Sequence, residues 1–336
     1  MPISTINTNS IADDAVTVPK VTDQVLTHRN RIINGAMTID QRNAGAAVTP
    51  TNGAYTLDRW AAFVSQASKI TIQQNAGAVS PPTGFTSYLG ITVDGSANVT
   101  VGASDYFFIQ QAIEGYNVAD FGFGAAAAAT ITFSFWVRSS VTGTYGGALY
   151  NGGGSRSYPY SYVINSANTW EKKVVTVVGD TTGTWHKTTS AGLQLTFSLG
   201  TGSTYNGSAG SWAAANYYGT TGAATPITTN GATFYITGVQ LEVGDTATPF
   251  EHRSYGEEFA KCQRYYEYGR IVQIDTNVIT GSFVVLKRAA PTMTRLGNTW
   301  TASEGGTFGP FDNSAYYVST GGVGYVGGQW SADAEL

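Results

Sequence analysis

Catalysis by histidine or cysteine has little material here. The chain carries three histidines, His28, His186 and His252, and one cysteine, Cys262. None stands in an HExxH, GxSxG, Walker-loop or Cys/His metal spacing. Glycoside cleavage needs two carboxyl groups held several ångström apart. Asp94, Asp105, Glu114, Asp120, Glu171, Asp180, Glu242, Asp245 and Glu251 are spread singly along the middle of the chain. Spacing leaves open which of them meet in space. No catalytic residue is assigned, and no hydrolase or lyase activity is expected. The residues that stand out are rings. Aromatic side chains cover the apolar faces of pyranoses, and short polar side chains around them bond the hydroxyls. Two stretches offer that combination. Tyr145–Tyr162 holds Tyr150, Arg156 and Tyr158 around a Gly152-Gly153-Gly154 turn. Tyr205–Tyr218 holds Trp212, Tyr217 and Tyr218 in a Gly/Ser/Ala background. For Tyr158, Tyr160 and Tyr162 a second reading stands beside this one: alternate rings lining one face of a strand.

Strands must position these rings. Only 12% of residues are charged, against roughly 25% in ordinary domains. Gly is 41 of 336 residues, aromatics reach 12% and apolar residues 42%. Disorder has few aromatics and high charge, so this composition suits many short strands joined by tight turns. Apolar runs recur at Ile32–Ile39, Leu57–Val64, Lys69–Gln74, Tyr88–Val93, Tyr106–Glu114, Thr130–Arg138, Tyr158–Ile164, Lys172–Val178, Leu193–Leu199 and Thr233–Val243. Within Thr130–Arg138, Ile131, Phe133, Phe135 and Val137 alternate with polar or larger neighbours, the period of a half-buried strand. Such runs, separated by Gly, Pro, Asn and Asp, predict an antiparallel sandwich. FGFGAAAAA (121–129) is left unassigned, because its Ala run favours helix and its glycines oppose it.

A helix is predicted from Ser254 to about Tyr268. Ser254 and Glu257 have capping-box spacing, and Tyr255, Phe259, Cys262 and Tyr266 share one face. Cys262 reads as a buried apolar residue rather than a nucleophile. Beyond it, Ile271–Ile274, Ser282–Leu286, Trp300–Ala302, Tyr316–Ser319 and Val323–Val326 predict a small second β-unit. Fewer than about 70 residues make a marginal core alone, so contacts between subunits are expected to complete it. Residues 1–29 are polar and contain no aromatic. They read either as a flexible tail or as an extended arm that orders only against other subunits or a baseplate.

Formal net charge is −4, from 18 basic and 22 acidic residues without a basic run. Phosphate neutralisation requires clustered Lys and Arg, so nucleic acid is not an expected partner. No run of about 18 apolar residues predicts a membrane span. Met1 opens a polar segment rather than a signal peptide.

Several long motifs resemble a known family: NRIINGAMTIDQRNAG (30–45), TLDRWAAF (56–63), TITFSFWVRSSVTGTY (130–145), NTWEKKVVTVVGDTTGTW (168–185) and GVQLEVGDTATPFEHRSYGEEFAKCQRYYEY (238–268). Their order and spacing, across roughly residues 30 to 268, are similar to bacteriophage tail fibre and tail spike proteins with a carbohydrate-binding-module-like jelly roll. SIADDAVTVPKV (10–21) is similar to the small repeats of phage fibre stalks. The resemblance implies an all-β chain in four parts. These are a virion-attachment and trimerisation arm (1–29), a jelly roll (30–252), a connecting helix (253–269) and a small C-terminal β-domain (270–336). It implies a homotrimeric virion protein, made in the host cytoplasm, that docks on tail or baseplate proteins through its arm. It would bind host surface polysaccharide, with Trp212, Tyr217 and Tyr218 as glycan contacts and Tyr150, Arg156 and Tyr158 beside them. Tyr316, Tyr317 and Tyr325 offer the alternative surface. A polysaccharide-degrading spike and a purely structural virion protein are the rival readings. Jelly rolls of this type often hold a structural Ca²⁺ between first and last strands, at positions that here read Asn34-Gly35-Ala36-Met37 and Ile236-Thr237-Gly238-Val239. Hard oxygen ligands are scarce there. No cofactor is therefore expected, and Glu242 and Asp245 remain the nearest calcium candidates.

Overall fold

The structure, a computed structural model, describes residues 29–273, 279–296, 308–318 and 326–336. Residues 1–28 of the expected arm, and the strand predicted at Trp300–Ala302, lie outside the described residues.

Two antiparallel sheets form a jelly-roll sandwich. The six-stranded sheet runs β1 (Ala54–Leu57), β2 (Trp60–Val64), β5 (Tyr106–Glu114), β10 (Ala191–Thr201), β7 (Gly143–Asn151), β8 (Ser157–Ile164). The five-stranded sheet runs β3 (Ile70–Gln74), β4 (Leu89–Val93), β13 (Thr233–Val243), β6 (Ile131–Ser139), β9 (Glu171–Val177). The core lies between them. Ile131, Phe133, Phe135 and Val137 of β6 are fully buried and face Leu193, Leu195 and Phe197 of β10 in one continuous cluster. Tyr158, Tyr160 and Tyr162 of β8 belong to that same cluster. Their alternation is therefore that of an inward strand face.

β13 changes phase midway. Phe234 and Ile236 point into the core, and so do Val239 and Leu241. A register shift against β6 between Thr237 and Gln240 inserts the extra residue that makes this possible. Gly238 sits in it at φ +61, where a Cβ would come within 2.6 Å of Phe85 and 3.1 Å of Trp136. Only glycine meets both demands.

Several predicted elements shift. Ile32–Ile39 is not a strand: residues 29–39 are a turn-rich segment hung on side-chain amides. Leu57–Val64 is broken by Asp58-Arg59, with Arg59 at φ +70, into β1 and β2. β7 and the short parallel pair β11 (Asn206–Gly207) and β12 (Gly219–Thr220) fall in stretches read from sequence as loops. Residues 121–129 form no helix beyond a single 3-10 turn, Ala119–Phe121, at their start.

Helix α1 (Tyr255–Gln263) is shorter than predicted. Ser254 caps it, its hydroxyl oxygen accepting from Glu257 N at 3.3 Å. Tyr266 already opens β14 (Tyr266–Gln273). Tyr255, expected on the buried face, is 66% exposed. Cys262 and Tyr265 are fully buried against Ile33 and Ile39, with Phe259 half-buried beside them. The face is set by Tyr265 in the turn after the helix, which moves the buried stripe away from Tyr255.

The C-terminal unit holds two three-stranded antiparallel sheets. One is β14, β19 (Val326–Asp333), β16 (Thr292–Leu296); the other is β15 (Ile279–Ser282), β18 (Ala315–Val318), β17 (Phe308–Pro310). Phe283, Tyr316, Val318, Trp330 and Ala332 form its small core. It locks onto the sandwich through buried charges. Arg59, 1% exposed, lies 3.5 Å over the Tyr265 ring and donates to Glu335 and to the Ala112 carbonyl. Arg264 grips Glu114 at 2.9 and 3.2 Å, and Arg42 reaches Asp333 at 2.9 Å.

Candidate functional site

The six ring-and-arginine candidates fall into two clusters. The first lies on the outer face of the six-stranded sheet. Along β5, Phe107 and Ile109 point inward, so Tyr106 and Phe108 point out. Phe63 of β2 stacks on Phe108 at 5.0 Å. Tyr218 lies over Phe108 at 4.8 Å and meets Tyr150 edge-on at 5.5 Å. Tyr205 stacks on Tyr218 at 5.0 Å and meets Tyr106 at 5.6 Å. The result is one aromatic row: Phe63, Phe108, Tyr218, Tyr205, Tyr106. Phe108 is buried beneath it, while Phe63, Tyr106, Tyr205 and Tyr218 are half-exposed.

Backbone bonds fasten the 202–220 loop that supplies half the row. The Thr196 hydroxyl donates to Tyr218 O at 3.1 Å, Ser157 Oγ donates to Ala215 O at 2.7 Å, and Tyr218 N donates to Tyr205 O at 2.9 Å. Close approach of this loop requires small residues on β7. At Gly146 a Cβ would stand 2.4 Å from Thr220 Cγ2 of the loop, and at Gly147 it would stand 2.1 Å from the Thr196 carbonyl of the adjacent strand β10. That is why β7 is glycine-rich and reads from sequence as a loop. Amides edge the row. Asn52 Nδ2 donates to the Tyr106 hydroxyl at 3.3 Å, and Asn216 Nδ2 donates to the Tyr218 hydroxyl at 2.7 Å. Asn216 Oδ1 has no partner. Gln110 Nε2 donates to Gln194 Oε1 at 2.7 Å, and Gln110 Oε1 accepts from the Tyr150 hydroxyl. Burial, with Tyr218 and Tyr55 nearby, pushes the Tyr150 phenol well above its usual range. Burial likewise raises Tyr218, outweighing its bond from Asn216. Both phenols are neutral donors at ordinary pH. Tyr217, the remaining member, is half-exposed, with its ring over Gly207 and its N–H on Ser157 Oγ at 3.1 Å.

The second cluster sits at one corner of the sandwich. Trp212 meets Tyr158 at 5.3 Å, Trp185 at 5.4 Å and Phe123 at 5.7 Å. Its indole N–H donates to Val178 O at 2.7 Å, which fixes the ring. Trp185 and Trp212 are half-exposed, whereas Tyr158 and Phe123 are buried. Arg156 forms a bidentate pair with buried Asp180, at 2.7 and 2.8 Å. Burial raises the Asp180 carboxyl, but the Arg156 fork and the Thr182 donors outweigh it and hold it below the usual carboxylate range. The same pair raises Arg156. Its guanidinium is thus a fixed part of the corner.

Tyr150 and Tyr158 are placed under these surfaces rather than on them. Phe63, Tyr106, Phe108, Phe123 and Trp185 were not singled out from sequence; Tyr205 entered only as the edge of the second ring-bearing stretch, and Asp180 only as one of the scattered carboxylates. The outward phase of Tyr106 and Phe108 on a strand of correct bounds was the signal available for two of them.

Carboxylates elsewhere are engaged. The six that are buried among the described residues, Asp58, Glu114, Asp180, Glu242, Glu258 and Glu267, all accept from protein donors. Glu242 takes Thr248 N at 2.9 Å and Oγ at 2.6 Å, and Gln240 Nε2 at 2.9 Å. Asp245 is exposed. Between the 34–37 turn and β13, side-chain amides stand where hard oxygens would be needed. Asn30 Nδ2 donates to Val239 O at 3.1 Å, and Asn34 Nδ2 to Ile39 O at 2.8 Å and Asp58 O at 3.0 Å. These residues do not fit a calcium site. No group of three or more His, Cys, Asp or Glu gathers among the described residues. No helix among them is long and apolar enough to cross a membrane.

No family model and no curated protein matches the chain. Three solved structures similar to it are these. The enzymatically active domain of tailspike protein 4 of bacteriophage CBA120 matches at 12% identity and TM-score 0.34, over 58% of this chain and 21% of that one. This chain therefore spans about a fifth of that tailspike's length. TmCBM61, solved in complex with beta-1,4-galactotriose, matches at 11% identity and TM-score 0.33, over 64% of this chain and 99% of that one. The family 11 carbohydrate-binding module of the cellulosomal cellulase Lic26A-Cel5E of Clostridium thermocellum matches at 12% identity and TM-score 0.29, over 62% and 100%.

Proposed function

We propose that this chain is a non-enzymatic receptor-binding protein of a phage tail fibre, which attaches the virion to host surface polysaccharide. The row Phe63, Tyr218, Tyr205 and Tyr106, half-exposed and edged by the Asn52, Asn216 and Gln194 amides, carries the reading. The rings are mutually inclined, Tyr106 standing at 86° to Tyr205, so they offer both faces and edges to the apolar side of a sugar, and adjacent amides bond hydroxyls. Tyr217 flanks this surface, and Trp212 with Trp185 supplies a second contact at the corner. The engaged state of the buried carboxylates supports binding without cleavage. The protein works as a homotrimer whose arm docks on the tail. Exposed Val284, Leu286, Phe311 and Tyr268 on the C-terminal unit support a subunit contact there. Weak single sites then gain strength from several copies per virion.

A glycan array built from bacterial envelope polysaccharides tests this with the purified full chain. Retention of at least one polysaccharide, with no reducing ends or unsaturated sugars released from it, is the expected result. Release that an Asp or Glu substitution abolishes would establish an enzyme instead.

A further inference from the structure

A cavity of about 260 Å³ opens where the 30–38 turn, the 250–253 segment and the start of α1 meet. None of its lining residues belongs to the aromatic row or the tryptophan corner. Its floor is polar and fixed. Arg253 donates to the Ile32 carbonyl and to Glu258 Oε2, each at 3.1 Å, and Asn34 N donates to the other Glu258 oxygen. Glu251 accepts from Asn30 N at 2.7 Å. Its wall is aromatic. Phe250 and His252 meet edge-on at 4.9 Å, and both lean on Phe85, at 5.1 and 5.4 Å. The hydroxyls of Thr38, Thr86 and Tyr255 and the ring nitrogens of His252 make no hydrogen bond with the described residues.

We propose that this cavity is a second glycan subsite, which holds one uncharged pyranose residue. Size sets the number of rings: ligand sites commonly measure about 300–1,000 Å³, and this one, just below that range, takes a single ring. Chemistry sets the class. A pyranose presents an apolar C–H face, for which Phe250 and His252 form a wall, and a rim of hydroxyls that donate and accept. The unpartnered hydroxyls and fixed carboxylates answer that rim. Charge excludes acids, because Glu251 and Glu258 oppose the single cation Arg253. A uronate would meet two carboxylates at close range. The inference rests on the reading that this chain binds glycan, and it adds a site with its own specificity.

Saturation-transfer NMR on the full chain tests it. The probes are methyl glycosides of glucose, galactose, mannose and N-acetylglucosamine, with methyl glucuronide as the acid. At least one neutral probe receives saturation and the glucuronide does not. The His252→Ala/Tyr255→Ala variant weakens that probe about tenfold; both side chains are exposed, so the fold stands. The pair of changes is made in the Tyr205→Ala/Tyr218→Ala background, which removes the sheet-face rings, and there the neutral probe still receives saturation before His252 and Tyr255 are changed. Absence of saturation from every neutral probe overturns the subsite, as does a signal in the Tyr205/Tyr218 background that survives the added His252 and Tyr255 changes. A glucuronide signal equal to the neutral one overturns the assigned class. A signal lost only in the Tyr205/Tyr218 variant overturns the subsite and leaves the sheet-face reading standing. Envelope polysaccharide bound equally by wild type and by the Tyr205/Tyr218 variant overturns the sheet-face reading alone.

Discussion

At the scale of single residues, ring type was legible in the sequence and ring placement was not. Trp212, Tyr217 and Tyr218 stood out because a Gly/Ser/Ala loop seldom holds three large rings without a partner. All three are half-exposed. Which sheet they lean on is a tertiary fact, since Tyr218 rests on Phe108 more than 100 positions away in the chain. Arg156 shows the same limit: its partner Asp180 is brought near by folding. That pair gives a pH prediction. A carboxyl whose folded pKa is depressed adds stability above its unfolded pKa and loses it as pH falls through the folded value. For Asp180 the ordinary value is 3.8 and the folded one lies below it. The Trp185–Trp212 corner therefore holds above pH 3.8 and loosens only in stronger acid. Tryptophan emission followed against pH checks this. Asp180→Asn is expected to loosen the corner already at neutral pH and to cost roughly 3 kcal/mol in denaturant unfolding. A wild-type transition centred above pH 3.8 would mean another group controls the corner.

At the scale of elements, period-2 alternation located the long strands. The bounds read for β5 and β13 agree with those observed. Thr130–Arg138 lies within one residue of β6. Alternation failed where glycine replaced side chains, as in β7, because a strand under a close-packed loop has no pattern to show. It also missed β16 and β17, which are short and only partly buried. Capping-box spacing placed the start of α1 correctly, but nothing local marked its end before Tyr266. The β13 bulge was likewise invisible, although the VQLEV phase change records it. Gly238→Ala is expected to lower unfolding free energy by about 1–3 kcal/mol, from left-handed backbone strain. Displacement of Phe85 should add to this and shift its neighbour Phe250. Denaturant melts read the first effect and ring NMR shifts the second. A cost below about 0.5 kcal/mol would show that the bulge relaxes freely.

At the scale of the whole molecule, composition and strand spacing made an all-β sandwich with a small second unit legible. The docking between them was not, because it depends on isolated charges such as Arg59 and Glu335 at opposite ends of the chain. Arg59→Ala leaves the buried Glu335 carboxylate with Arg42 as its remaining cationic partner, at 3.2 Å, and a loss of about 3 kcal/mol is expected on unfolding. An effect below about 1 kcal/mol would mean that the two units hold together without it. For assembly, light scattering of the full-length chain at micromolar concentration is expected to give three times the chain mass, and a monomer would remove the trimer. Glycan attachment through the outer face of the six-stranded sheet is tested most directly by calorimetric titration of an envelope polysaccharide that the wild type binds. The comparison is wild type against Tyr205→Ala/Tyr218→Ala, with melting curves establishing that both are folded. Each ring is worth about 1–3 kcal/mol by analogy with base stacking. Affinity should therefore fall at least about tenfold in the folded variant. An affinity equal to wild type would place the receptor surface elsewhere on the molecule.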